Sequence, residues 1–202
     1  MVPAPTFKKS RGLSDVDEIT ETINLAFSTD PTWAPVLTFD GDLASSYKYW
    51  RLFVNSAARF PWTYTSADAT AVAVWYPPGA DELTSAEEAG FLDFVEETLG
   101  SERAKVLFQI LEGFEKATPT GDFFYLSLLA VHPKYSGSGL GMQLLSQNLQ
   151  EIDALGKPSF LESSNPANDY KYERLGYQKH GKIELPSGIT ISTFWRDPAP
   201  VI

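Results

Sequence analysis

The apolar residues Val16, Ile19, Ile23, Ala26 and Phe27 recur every three or four positions, which predicts a helix opening at Ser14 after Leu13. Leu43, Tyr47, Trp50, Val54 and Ala57 repeat that period and predict a second helix over about 43–58. The pattern then shortens. Residues 62–66 and 71–76 read as two strands around a turn holding Asp68, and Pro77-Pro78-Gly79 stops the second of them. Thr84 or Ser85, followed by Glu87 and Glu88, marks another helix start. That helical region breaks near Gly100-Ser101 and resumes through Val106, Leu107, Ile110 and Phe114.

Residues 123–131 are almost continuously apolar and aromatic and end at His132-Pro133, which predicts a strand buried on both faces. Residues 158–163 predict a second central strand. Residues 179–185 and 189–195 predict a closing hairpin about Pro186-Ser187-Gly188. Strands and helices alternate without regular βαβ units, so the expected fold class is α/β (α+β) with mixed strand directions. At 202 residues the simplest organisation is a single domain over 1–202 with a substantial core.

Composition narrows the chemistry by exclusion. The absence of cysteine removes disulfides, zinc–thiolate sites and cysteine nucleophiles together. With only His132 and His180, a histidine-rich metal site is not expected, so no metal is assigned, and His132 reads as a structural residue of its turn. No run approaches the roughly 18 apolar residues of a membrane span, and the N-terminus lacks the apolar core of a signal peptide. The expectation is a cytoplasmic protein with no membrane partner. A formal charge of −10 argues against a nucleic-acid partner, which needs a basic face, and suits a cationic small substrate such as an amine.

The most informative stretch is Gly137-Ser138-Gly139-Leu140-Gly141. It follows the strand at 123–131 and opens an amphipathic helix whose apolar positions are Leu140, Leu144, Leu145, Leu149, Ile152 and Leu155. The first turn of a helix carries unsatisfied N–H groups and partial positive charge, and glycines let an anion approach the backbone. A Walker loop would need Gly-Lys-Ser/Thr, which is absent, and a dinucleotide fingerprint would need a glycine where Met142 stands. On these residues alone, the turn is either a phosphate cradle or a tight-packing device.

The run Leu129-Ala130-Val131-His132-Pro133-Lys134-Tyr135-Ser136-Gly137-Ser138-Gly139-Leu140-Gly141 resembles the acyl-CoA motif of the GNAT superfamily of acetyltransferases. The resemblance implies a mixed, mostly antiparallel central sheet flanked by helices, with acetyl-CoA as co-substrate. It further implies that Leu129 and Val131 lie on a splayed strand. Gly137, Ser138, Gly139, Leu140, Gly141 and Met142 would then form the site of the CoA pyrophosphate. Ser136 stands where the family usually has Gln or Arg, and Ser127 where many relatives carry an acid.

Downstream, Leu161-Glu162-Ser163-Ser164-Asn165-Pro166 and Tyr172-Glu173-Arg174-Leu175-Gly176-Tyr177 resemble the second GNAT motif. They look most like the bacterial branch that contains puromycin acetyltransferase. Asn165 before Pro166 is a helix start in its own right, and the resemblance also brings it to the pantetheine arm. Tyr172 corresponds to the family's general acid. A phenol of pKa near 10 stays protonated at neutral pH and can protonate a departing thiolate. Amine attack also needs a base, and Glu162 is the remaining candidate, with Tyr125 and a water chain as a further possibility. Trp75 and Tyr76 are expected to line the acceptor pocket, at least one of them being core. No Gly-x-Ser-x-Gly elbow supports a serine triad.

The resulting expectation is an N-acetyltransferase acting on a primary amine of a small molecule by direct attack in a ternary complex. The alternative is a non-catalytic acyl-CoA-binding sensor or partner module. A homodimer built across the last strands is compatible with both.

Overall fold

The computed structural model describes residues 6–200. A short strand, β1 (Phe7–Lys9), precedes a helical segment: α1 (Val16–Phe27), α2 (Ala34–Leu37) and α3 (Leu43–Ala57). Strands β2 (Thr63–Ser66) and β3 (Ala71–Tyr76) follow, then α4 (Ser85–Ala89), α5 (Phe91–Leu99) and α6 (Ser101–Ala117). The remainder is β4 (Phe124–Val131), α7 (Leu140–Ala154), β5 (Ser159–Ser163), α8 (Asp169–Glu173), β6 (Gln178–Glu184) and β7 (Thr190–Arg196). The start of α4 and the break between α5 and α6 fall where the sequence places them, whereas α2 and the break at Gly90 between α4 and α5 do not show in it. Thr84 and Glu87 form a reciprocal capping box at the start of α4, and Gly100, at φ 77°, separates α5 from α6.

The strands form one sheet in the order β1-β2-β3-β4-β5-β7-β6. Every neighbouring pair is antiparallel except β4 and β5, which run parallel. The sheet is thus mixed and mostly antiparallel, with helices on both faces. Along β3, Val72, Val74 and Tyr76 point into the layer of α1, α3, α5 and α6. Ala71, Ala73 and Trp75 point into the layer of α7, against Leu144, Leu145, Leu149 and Ile152. Period-2 alternation with both faces apolar is what a central strand between two helix layers requires.

Strand β4 departs from the expectation of burial on both faces. Its exposure alternates, with Phe124, Leu126, Leu128 and Ala130 buried and Tyr125, Ser127, Leu129 and Val131 half-buried. Its register with β3 also slips: Val74 pairs with Leu128 but Trp75 with Leu126, so Ser127 is the extra residue of a β-bulge. Of the half-buried positions, Ser127, Leu129 and Val131 border a cleft rather than a packed layer. Trp75 and Tyr76 are both core residues. Trp75 donates from Nε1 to Asn148 Oδ1 at 3.0 Å, and the Tyr76 hydroxyl donates to the Phe53 carbonyl at 3.3 Å.

Candidate active site

The cleft begins where β4 and β5 part. They pair only at Phe124–Ser159 and Tyr125–Phe160. Beyond that point β4 stays hydrogen-bonded to β3 as far as Val131, and β5 to β7 as far as Ser163. The space between the diverging strands is a cleft of about 880 Å³. Leu129, Val131, Gly137, Ser138, Gly139, Leu140, Gly141, Met142, Glu162, Asn165 and Tyr172 all line it.

At one side lies the glycine turn. Gly137 and Gly139 have φ of 77° and 80°, a region that side chains with a Cβ rarely occupy. Gly141 is different. Its φ is ordinary, but a Cβ there would sit 2.9 Å from Val131 Cγ2, so it is the contact that seats α7 against β4. The amides of Gly137, Gly139, Gly141 and Met142 have no hydrogen-bond partner among the described residues. Leu140 N–H reaches only Ser138 Oγ, at 3.3 Å. The Ser138 amide itself is engaged with the Tyr135 carbonyl at 3.2 Å. Unpaired amides at a helix N-terminus, open to a cleft, fit a pyrophosphate. Lys171 and Arg174 line the same cleft and bring positive charge to an acidic protein.

Opposite stands the segment after β5. Asn165 Oδ1 accepts from Ala167 N–H at 3.0 Å and caps the turn Pro166–Asn168 that leads into α8. Tyr172, on α8, packs its ring against Phe194 and Tyr177. Its hydroxyl makes no hydrogen bond among the described residues, and burial, with the charges of Asp30 and Asp169, pushes it above the usual phenol value. It is therefore a protonated donor with nothing yet to donate to.

Glu162 sits on β5 across from Thr193 of β7. Its Oε1 and the Thr193 Oγ1 are buried without partners among the described residues. Burial raises this carboxyl to about 8; the nearby Tyr125 hydroxyl draws it part of the way back, and the charge of Glu82 raises it further. A buried carboxyl raised to about 8 next to the Tyr125 hydroxyl is a group whose protonation can change near working pH.

Several cleft residues carry no signal in the sequence. The segment after α1 is lashed to the end of β5, with Ser164 Oγ donating to Asp30 Oδ2 at 2.8 Å and Thr32 Oγ1 to the Ser164 carbonyl at 2.6 Å. This carries Asp30 and Trp33 into the cleft wall, where the Trp33 ring meets Phe114 of α6 edge-on at 5.5 Å. His132 serves its turn: Nδ1 accepts from Lys134 N–H at 3.2 Å.

A strand that splays from its parallel neighbour beside a glycine-opened helix defines the fold of the GNAT acetyltransferases, and solved structures of that kind superpose on the whole chain. One, from Corynebacterium glutamicum, is described as histone acetyltransferase HPA2 and related acetyltransferase. It is 19% identical, with a TM-score of 0.72 over 99% of this chain and 100% of that one. A polyamine N-acetyltransferase of Drosophila melanogaster that forms N-acetylagmatine is 13% identical, with a TM-score of 0.67 over 96% and 100%. Arylalkylamine N-acetyltransferase 2 of Aedes aegypti is 12% identical, with a TM-score of 0.64 over 98% and 100%. Residues 100–179 match the family model of the acetyltransferase (GNAT) domain. That segment runs from α6 through the glycine turn and α8 to the start of β6. No helix among the described residues is long and apolar enough to cross a membrane.

Proposed function

We propose that this chain is a GNAT N-acyltransferase that moves an acetyl group from acetyl-CoA to a primary amine of a small molecule. The observation that carries this reading is the cleft between β4 and β5, lined both by an unpaired amide cradle and by Tyr172, whose hydroxyl has no partner among the described residues. The amides of Gly139, Gly141 and Met142 would hold the pyrophosphate, with Ser138 and Leu140 shaping the turn. The amide of Asn165 and the open edge near Leu129 and Val131 would hold the pantetheine arm. Acetyl-CoA supplies the activated acyl group.

The rest of the chemistry falls to the protein. A backbone N–H near Val131 polarises the thioester carbonyl and steadies the developing oxyanion. Glu162 accepts a proton from the ammonium form of the acceptor, so that a neutral nitrogen attacks directly. Tyr172 gives its proton to the departing sulfur. The chain has no cysteine to form an acyl-thioester with itself, which favours a ternary complex. The solved structures whose names include agmatine, polyamines and arylalkylamines support a small cationic acceptor. The strings around Asn165 and Tyr172 support a place near the puromycin-acetyltransferase-like branch.

The test is release of free CoA from acetyl-CoA across a panel of primary amines that includes agmatine, putrescine and tryptamine. Amine-dependent release with formation of the N-acetyl product is expected. Slow acetyl-CoA hydrolysis that no amine accelerates would instead favour a binding module.

A further inference from the structure

The β-bulge places one residue of β4 out of register, and that residue is Ser127. It lines the cleft. Its hydroxyl donates to Glu82 Oε1 at 2.5 Å, a short charge-assisted bond. Glu82 comes from the segment between β3 and α4, far away in sequence. Arg59 holds this segment in place, its guanidinium donating from Nη2 to the carbonyls of Asp81 and Glu82 at 2.8 and 3.1 Å. The Arg59 Nε is occupied by the Ser56 carbonyl. That cation is therefore turned to backbone oxygens.

The groups whose ionisation feels Glu82 are Tyr49 of α3, Tyr76 of β3, Tyr125 of β4 and Glu162 of β5. Three are phenols and the fourth is an acid. Burial raises the Glu82 carboxyl and the Ser127 hydroxyl lowers it. A carboxylate so placed has a strong reason to take up a proton, and its bond to Ser127 gives it a polar route to the cleft. The geometry also fixes what Ser127 offers. With its hydrogen committed to Glu82, its oxygen presents only lone pairs to the cleft, so it can accept from an N–H there.

We propose that Ser127, its hydroxyl turned by Glu82, holds the acceptor nitrogen, and that Glu82 receives through it a proton which that nitrogen sheds. The proposal rests on the acyl-transfer reading above. An ammonium substrate loses two protons from nitrogen in becoming an amide, while the departing sulfur gains one. The first leaves before attack, to Glu162. As the carbon–nitrogen bond forms and the carbon–sulfur bond breaks, Tyr172 protonates the sulfur. The second nitrogen proton passes to Ser127 Oγ while the Ser127 hydroxyl proton passes to the Glu82 carboxylate. Return of one proton to Tyr172 and loss of the other to water leaves one proton released per turnover. Ser127 is thus the catalytic contact, and Glu82 is the positioning residue behind it.

The experiment compares wild type with Glu82→Gln and Ser127→Ala, using whichever of agmatine, putrescine and tryptamine the wild type acetylates fastest. Glutamine is nearly isosteric and can still accept from Ser127, but it cannot take up a proton at neutral pH. The expected result is a fall in kcat/KM for the amine on the order of 10²-fold with the KM for acetyl-CoA unchanged. The acid limb of the pH profile should also move to lower pH, because Glu162 loses a like-charged neighbour. A Glu82 that served only as a neutral hydrogen-bond partner of Ser127 would leave that limb in place. Ser127→Ala keeps both carboxyls and should lower kcat/KM by at least about tenfold; it decides the matter if circular dichroism shows Glu82→Gln unfolded. An active wild type whose Glu82→Gln variant keeps its kcat/KM, or its acid limb, overturns this assignment alone. A wild type that acetylates none of the amines overturns the acyl-transfer reading with it.

Discussion

Replacing Gly141 by alanine tests whether the seat of α7 on β4 controls the cradle. The added Cβ would lie 2.9 Å from Val131 Cγ2. Comfortable carbon–carbon contact begins near 3.5–4.0 Å, so helix and strand must part by about 0.6–1 Å. Overpacking of this size costs about 1–3 kcal/mol, and alanine's better helix propensity returns up to ~1 kcal/mol. A net loss of about 1 kcal/mol corresponds to a fall of roughly 2–4 °C in Tm for a chain of this size. Binding should suffer more than folding, because the amides of Gly141 and Met142 move with the helix end. Hydrogen bonds to a charged group are worth about 1.5–3 kcal/mol, so spoiling one lowers CoA affinity by about 10- to 100-fold. Calorimetric titration with CoA reads this directly. Val131→Ala removes the obstructing methyl, and the double variant should regain most of the lost affinity. Unchanged CoA binding in Gly141→Ala, or a double variant no better than the single, would refute the reasoning.

Three other outcomes are expected. Tyr172→Phe should lower kcat on the order of 10²-fold while leaving the Kd for acetyl-CoA near the wild-type value, since in the proposed mechanism the hydroxyl serves the leaving sulfur and not binding; stopped-flow and equilibrium titration separate the two. Glu162 must be ionised to accept a proton, so kcat/KM should rise with pH and level off above about 8, and Glu162→Gln should abolish that limb. Asp153 accepts two hydrogen bonds from Arg196, at 2.6 and 2.8 Å, and one from Ala199 N–H. Burial alone would raise its carboxyl, but these bonds outweigh it and hold it below the usual value. A depressed folded value means that the stability it contributes is complete above about pH 4 and is lost as pH falls through the folded value. Asp153→Ala should therefore cost about 3 kcal/mol in urea unfolding at pH 7, with the gap to wild type narrowing below pH 4.

The glycine-turn side of the cleft is legible because its parts are local. Gly137 and Gly139 take positive φ within a single turn, Asn165 caps its own helix start, and the apolar period from Leu140 to Ile152 announces α7. The wall formed around Asp30, Glu82 and Ser127 is not, because its contacts join distant segments. Glu82 meets Ser127 across 45 positions, and Asp30 meets Ser164 across 134. Ser127 on its own reads as a missing acid, and nothing near it in the chain points to Glu82. The apolar run at 123–131 misled in a related way. Apolar residues facing a cleft look the same in sequence as apolar residues facing a core, so the run by itself reads as buried on both faces, and only the family resemblance sets Leu129 and Val131 on a splayed strand. β1 went unrecognised since three residues, Phe7-Lys8-Lys9, carry no period of their own. Its pairing with β2 supplies what its sequence lacks.

The two pairs of residues that join β4 to β5 also give the sheet a fulcrum. On one side lie β1 to β4, on the other β5 to β7, and only Phe124–Ser159 and Tyr125–Phe160 bridge them. Phe123, Phe160 and Trp195 gather at this point, with ring centroids 5.6–5.7 Å apart, and stiffen it as a bearing. From Tyr125 to Val131 the strand extends about 20 Å at ~3.3 Å per residue. A rotation of about 3° at the fulcrum therefore opens or closes the mouth of the cleft by ~1 Å over that arm. The aromatic cluster at the centre of the sheet is thus the pivot about which any such rotation would turn, and the mouth of the cleft is the tip that would register it.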